Sequence, residues 1–362
     1  MTIARRNGGQ RWSGPLAAAV LLVLFQASAR AADAPRFFRI GTAATTGTYF
    51  QIGAEIANAI SKPPGSRDCA RGGSCGVEGL VAVAQATQGS IDNAVLVGAG
   101  QLEGAFIQSD IAYWAYSGKL PTIKSCAGAA LPDSGLALLK RRGPIANLRV
   151  VAALYMEAIH IVAGNDPKLK SVGDLKGKRV AVGEPLSGTL ADTRLVLDAA
   201  GVGECKVKAQ YIGLSESAGL IGKGGIDAFF TSAGYPVPAI TDVASVVPLH
   251  LLPINGKVRD KLLHDLPFLS AATIPGATYP GIDDETPTLG VPALFVVSSS
   301  VPDDLAYGIT KALWQDSTRR MLDAGHPAGK RITLENALRG IGIPFHAGAG
   351  KFYQEKGMKL PE

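Results

Sequence analysis

Short apolar runs alternate with helix-period segments along most of this chain, which restricts it to an α/β fold with a largely parallel sheet. Residues 36–42 read as a strand. A Gly/Thr loop follows, then a helix from about Tyr49 to Ser61 with Ile52, Ile56 and Ile60 on one face. Pro63-Pro64-Gly65 ends it. Residues 80–85 give a buried strand, Gln88-Gly89-Ser90 opens a helix, and residues 104–108 form another strand that ends in Gln108-Ser109-Asp110. Residues 117–146 are rich in Gly and Pro and read as a surface excursion.

Two longer apolar stretches suggest two lobes. Residues 150–162 are long enough to run from one lobe into another, and residues 289–297 would cross back. Between them lie further strands and helices: a strand closing on Gly183, a helix from Ser187-Gly188-Thr189 to about Ala200, a helix over 215–222 and a strand over 226–230. The expected division is a leader over 1–31, one lobe from 32–157 plus 290–362, and a second lobe over 158–289. The length of 362 residues fits this, because a single core rarely grows past about 250–300 residues. Hydrophobic residues at 47% and charged residues at 18% exclude a disordered chain.

The first residues read as an address. Arg5, Arg6 and Arg11 precede an unbroken apolar run from Leu16 to Phe25, and Ala29-Arg30-Ala31 supplies a small-x-small cleavage pattern. The run is too short to span a bilayer, so the reading is export to the periplasm with cleavage near Ala31 and no membrane insertion of the mature chain. Cleavage removes four arginines and no acid, which leaves 32 basic residues against 30 acidic ones and turns +6 into +2. The basic balance therefore gives no reason to expect nucleic acid as a partner. Four cysteines in an exported chain favour disulfides. Cys69 and Cys75 flank a Gly-rich loop that curls back without strain, so they are expected to pair. For Cys126 and Cys205 the sequence leaves pairing open.

Three helix starts carry the functional signal: Thr42…Gly47-Thr48-Tyr49, Gln88-Gly89-Ser90 and Ser187-Gly188-Thr189. Strand C-termini of a parallel sheet share one edge, where ligands bind. Helix N-termini there offer free N–H groups and the positive end of the dipole, and Ser and Thr add hydroxyls. If the ends come from both lobes, an anion is clamped between them. Searches for catalytic and cofactor motifs find nothing: the five histidines are scattered without an H-E-x-x-H, and Ser187 lies in no G-x-S-x-G elbow. No cysteine has zinc-type spacing, and the Gly41 loop is neither a dinucleotide fingerprint nor a P-loop. No enzyme, cofactor or metal is expected. Asp283-Asp284-Glu285 reads as a solvated loop. Glu157 stands in an apolar segment and needs a partner: either an internal hydrogen bond or ion pair, or a ligand ammonium or bound water. Arg194 either reaches the cleft or points to solvent.

Many ordered segments carry a family resemblance. They include Ile40-Gly41-Thr42…Gly47-Thr48-Tyr49-Phe50, Gln88-Gly89-Ser90…Asn93, Phe106-Ile107-Gln108-Ser109-Asp110 and Leu154-Tyr155-Met156-Glu157…His160. They continue through Asp174-Leu175-Lys176-Gly177-Lys178-Arg179-Val180, Pro185-Leu186-Ser187-Gly188-Thr189 and Asp227-Ala228-Phe229-Phe230. Over essentially the whole mature chain it resembles the TAXI class of solute receptors of tripartite ATP-independent periplasmic (TRAP) transporters. That resemblance implies a bilobed periplasmic-binding-protein fold of the second type, with two mixed, mainly parallel sheets flanked by helices. It implies a monomer that captures a small carboxylate, such as glutamate or 2-oxoglutarate, and delivers it to an ion-gradient-driven TRAP permease. It also implies a ligand-lined cleft of Thr42, Thr48, Tyr49, Gln88, Ser90, Gln108, Tyr155, Glu157, Ser187, Gly188 and Thr189, with Gly234 and Tyr235 nearby. Two other roles fit the same scaffold: the ligand-binding partner of a membrane sensor kinase, and an exported enzyme. The first loop departs from the glycine-rich pattern common in the family, with Ala43, Ala44, Thr45 and Thr46 in place.

Overall fold

The computed structural model describes residues 34–124, 126 and 134–361, so the proposed leader lies outside the described residues. The chain begins with β1 (Arg36–Gly41), α1 (Thr48–Ile60) and a small ribbon of β2 (Ser61–Lys62) and β3 (Val77–Glu78). Next come β4 (Leu80–Gln85), α2 (Ser90–Gly98), β5 (Gly104–Gln108), α3 (Ser109–Ser117) and α4 (Gly135–Arg142). The long β6 (Leu148–Ala163) leads to β7 (Arg179–Ala181), α5 (Gly188–Ala199), β8 (Lys208–Gln210), α6 (Leu214–Gly222), β9 (Ala228–Ala233) and α7 (Pro238–Ala244). After β10 (His250–Leu251), α8 (Gly256–Asp265) and β11 (Ser270–Ile274), β12 (Thr286–Ser298) returns to α9 (Asp303–Leu313), α10 (Asp316–Ala324) and α11 (Ala347–Glu355).

The eight-strand path runs β4-β1-β5-β12-β6-β9-β7-β8, with β10 on β6 and β11 on β12. Each flank is parallel: β4, β1 and β5 on one side, β9, β7 and β8 on the other. The centre is antiparallel, because β12 pairs with β5 and β6, and β6 pairs with β9. The 16 residues of β6 span about 50 Å at roughly 3.3 Å per residue, enough to serve both flanks. The two expected sheet halves are thereby joined into one hydrogen-bonded ladder. The antiparallel steps have a further consequence. β5 runs in the direction of β6 and β9 runs against it, so the C-terminal ends of the two parallel flanks point at each other.

Buried apolar side chains explain the elements. Ile52, Ile56 and Ile60 are fully buried on α1, and Leu305, Ile309 and Leu313 form the inner face of α9. Phe38, Phe295, Phe106 and Tyr49 form an edge-to-face series with centroids 6.4, 5.7 and 5.5 Å apart, carrying the core up to the mouth of α1. The stretch 117–146 departs from the expected excursion. Its α4 buries Leu136 and Leu139, and Gly135 lies so close to Ile91 of α2 that a Cβ would come within 2.5 Å. Both disulfides are present: Cys69–Cys75 closes the short Gly-rich loop, and Cys126–Cys205 joins the segment after α3 to the turn after α5. No helix among the described residues is long and apolar enough to cross a membrane.

Candidate functional site

The opposed strand ends frame a cleft, and register places its floor. Gln108, the last residue of β5, pairs with Ala293 on β12, and Ala233, the last of β9, pairs with Ala158 on β6. Glu157 pairs with Val291 in the crossing itself, between the two flanks. The cleft holds a cavity of about 70 Å³ and is lined by Thr48, Tyr49, Gln88, Ser90, Gln108, Glu157, Ser187, Gly188 and Thr189, all expected from the sequence. The first turns of α1, α2 and α5 therefore converge from both flanks, each with backbone N–H groups that its own helix leaves unpaired.

The rims touch across the cleft. The N–H groups of Ile91 and Asp92 both donate to the Leu186 carbonyl at 3.1 Å, and Gly135 N–H donates to the Pro185 carbonyl at 2.7 Å. Thr46 and Ser215 hydroxyls meet at 2.7 Å. Two glycines permit this approach. Gly89 has φ of 110°, a conformation that side chains disfavour, and a Cβ on Gly188 would sit 1.4 Å from Gln108 Oε1.

A polar chain runs beneath the rims. Gln108 N–H donates to Ser90 Oγ at 3.1 Å, and its side-chain amide donates to Asp192 Oδ2 at 2.8 Å. Ser232 Oγ donates to the same Asp192 oxygen at 2.6 Å, while Ser232 N–H donates to Thr189 Oγ1 at 3.2 Å. Ser187 Oγ accepts from Leu190 N–H at 3.0 Å and caps α5. Glu157 is 1% exposed with the Tyr49 hydroxyl beside its carboxyl, and the buried Asp110 and Asp192 carboxyls lie against each other. Burial pushes the Glu157 carboxyl well above the usual range, and it raises Asp192 to about 6. Asp110 is pushed well up by burial and by Asp192 beside it. Among the described lining residues there is no lysine, arginine or histidine, while Glu184 adds a second carboxylate. No three His, Cys, Asp or Glu side chains among the described residues group closely enough to hold a metal ion.

Four expected residues stand away from the wall. Thr42 is fully buried and donates its hydroxyl to the Gln85 carbonyl at 2.8 Å, while its own carbonyl accepts from Asn93 Nδ2 at 2.7 Å; it fastens β1 to β4 and α2. Gly234 gives its carbonyl to the Thr48 hydroxyl, and a Cβ there would lie 2.7 Å from the Tyr155 ring. Tyr155 is buried behind the floor and lines a second cavity with Arg331. Tyr235 lies under the Arg331 guanidinium, 4.3 Å from its ring centroid. Arg194 takes neither expected course. It is buried in a forked pair with Glu204, with Nη2 at 2.9 Å from Oε1, because a buried guanidinium needs a carboxylate. The sequence reading missed the far rim: Gly183 and Glu184, the turn Ile212-Gly213-Leu214, and Phe230 to Ser232. The signal was available, since these residues follow or end β7, β8 and β9 at the shared edge.

The NMT1-like family profile matches residues 40–125 and 130–357. Among solved structures, the chain is similar to a protein of Bordetella bronchiseptica RB50, with 15% identity over 90% of this chain and 83% of that one and a TM-score of 0.47. It is also similar to the alkanesulfonate-binding protein SsuA from Xanthomonas axonopodis pv. citri bound to MOPS, with 13% identity, 89% and 84% coverage and a TM-score of 0.41. A third is the sugar acid binding protein DctPAm from Advenella mimigardefordensis strain DPN7T in complex with galactonate, with 13% identity, 90% and 86% coverage and a TM-score of 0.43.

Proposed function

This chain belongs to the NMT1-like family, and from that premise we propose that it is an exported solute-binding protein of the TAXI type. It captures a small organic acid in the central cleft and delivers it to an ion-gradient-driven TRAP permease. One observation carries the reading: the first turns of α1, α2 and α5, from opposite flanks of the sheet, line a single cleft. Such ends hold an anion with N–H donors and hydroxyls. The wall offers hydroxyls, backbone N–H groups and the two carboxyl groups of Glu157 and Glu184. Two disulfides suit an oxidising compartment such as the periplasm.

Binding at the cleft requires the flanks to part and meet again, and β6 and β12 are the only long strands that pass between them among the described residues. The closed rims form the surface that a permease would read. Thermal-shift screening of the purified protein against small carboxylates tests this. A true ligand at 100 to 1,000 times its Kd raises apparent stability by about 3–4 kcal/mol. In Ser187→Ala/Thr189→Ala the ligand-dependent shift should shrink, while the ligand-free melt drops by only about 1–2 kcal/mol for the lost cap. An undiminished ligand shift in that double variant would remove the α5 end from the site.

A further inference from the structure

Beneath the rims, two acids meet from opposite flanks. Asp110 lies in the first turn of α3, directly after β5, and Asp192 lies in α5, between β7 and β8. They are 2% and 1% exposed, and their carboxyls lie against each other. The scaffold satisfies one oxygen of each. Asp110 Oδ1 accepts from Ile111 N–H at 2.7 Å, while Asp192 Oδ2 accepts from Gln108 Nε2 at 2.8 Å and from Ser232 Oγ at 2.6 Å. No N–H or hydroxyl among the described residues donates to the remaining two, Asp110 Oδ2 and Asp192 Oδ1.

Two ionised carboxylates in contact and out of water repel, whereas a carboxylic acid donates a strong hydrogen bond to a carboxylate. One proton between the two free oxygens therefore completes both groups. Glu204, just as buried, is neutralised by the Arg194 guanidinium; here the partner is a second acid. The titratable group facing the pair is Glu157 on β6, with the Tyr49 hydroxyl of α1 beside it. Burial pushes Glu157 toward its neutral form, so it brings no counter-charge. The side chains that β5 and β9 present, Gln108 and Ser232, are neutral. Burial and the adjacent Asp192 hold the Asp110 carboxyl well above the usual range, which makes Asp110 the donor and Asp192 the acceptor.

We propose that Asp110 and Asp192 form a proton-binding site shared between the flanks, so that closing on a solute takes up a proton from solvent. The site exists while the flanks are together, because each contributes one acid. When they part, water reaches both carboxyls, and each ionises above about pH 4. The rim contacts do not share this property, since backbone groups and hydroxyls make them. Capture therefore strengthens as pH falls from 8 to 5.5, by up to about tenfold per pH unit for one proton. This rests on the reading of the cleft as the place of solute capture and adds the proton as a second ligand of the closed form.

Isothermal titration calorimetry with L-glutamate and 2-oxoglutarate at pH 8 and 5.5, in buffers of different ionisation enthalpy, tests it. The wild type should bind at least about fivefold more tightly at pH 5.5 and take up about one proton per solute. Asp110→Asn puts an amide donor where the acid proton lies and keeps the oxygen that accepts from Ile111. It should cut the pH-dependent tightening at least about threefold, with Glu157 left in place as the common background. Asp192→Asn offers the same donor from the other flank and should act alike; circular dichroism checks that each variant is folded. Binding that is indifferent to pH in the wild type overturns the proposal and leaves the cleft as the capture site. A pH dependence unchanged in both variants overturns the pair as its seat. If neither solute binds, the capture of these two carboxylates falls, and urea unfolding without solute decides the proton site. There the folding constant of the wild type should rise between pH 8 and 5.5 at least about threefold more than that of Asp110→Asn, and equal rises overturn the shared proton.

Discussion

Single residues in this fold are legible when their chemistry is at odds with their surroundings. Glu157 in an apolar stretch is one case, and His160, three residues on, is another. His160 is fully buried, with Nδ1 2.9 Å from the Ala158 carbonyl and Nε2 2.8 Å from the Tyr279 hydroxyl. The neutral ring fits both contacts: Nδ1–H donates to the carbonyl, and Nε2 accepts from Tyr279, whose oxygen accepts from Val237 N–H at 3.0 Å. Burial lowers its pKa from 6.5 to about 4. Between those values the unfolded chain binds a proton that the folded chain refuses, so stability falls as pH drops through the window. The penalty is about 3 kcal/mol and complete below about pH 4. Urea unfolding at pH 7, 5.5 and 4 should show the stability gap between the wild type and His160→Gln narrowing as pH falls; a constant gap would refute the neutral buried ring. Other residues were illegible from sequence for a physical reason. Arg194 and Thr42 sit in polar, motif-like surroundings, yet both serve the scaffold, because their partners Glu204 and Gln85 are fixed only by tertiary packing.

At the scale of elements, periodicity and turn chemistry carried most of the fold. The isoleucine spacing of α1, the glycine-led start of α2, the cap of α5 and the two crossing strands all follow from local pattern. The misread segment is instructive. Seven Gly and Pro residues between 117 and 146 mask α4, whose eight residues are too short to display a helical period clearly. Only its burial against α2 reveals it as part of the core. Leu139 is 2% exposed there, so Leu139→Ala should cost about 2–5 kcal/mol, read as a lower urea midpoint with an unchanged m-value. A loss under about 0.5 kcal/mol would mean that α4 is a surface turn after all. The far rim of the site escapes the sequence on the same scale: the strand read over 226–230 corresponds to β9, but the three residues of β8 are too few to show a pattern, and neither strand's C-terminal end is traceable locally to the edge shared with β7.

For the whole molecule, the decisive feature is the pair β6 and β12. They are antiparallel to each other and to their outer neighbours, so two parallel flanks face end to end and their helix N-termini meet over one floor. That arrangement was accessible from the sequence only as two long apolar runs; which strands pair, and that the ladder is continuous, depends on contacts between residues over a hundred positions apart. Cys126–Cys205 adds a covalent link from the segment after α3 to the turn after α5. Among the described glycines, Gly188 makes the closest approach across the cleft, to the Gln108 side chain. Gly188→Val puts side-chain atoms where only hydrogen fits, and should hold the rims apart without unfolding either flank. The most direct measurement is the ligand-induced melting shift, across the panel of small carboxylates, of the wild type and of Gly188→Val, with far-ultraviolet circular dichroism confirming that both are folded. The account predicts a shift for at least one solute in the wild type and none for the same solute in Gly188→Val. An equal shift in both proteins, or no shift in the wild type for any solute, would contradict the cleft as the site of capture.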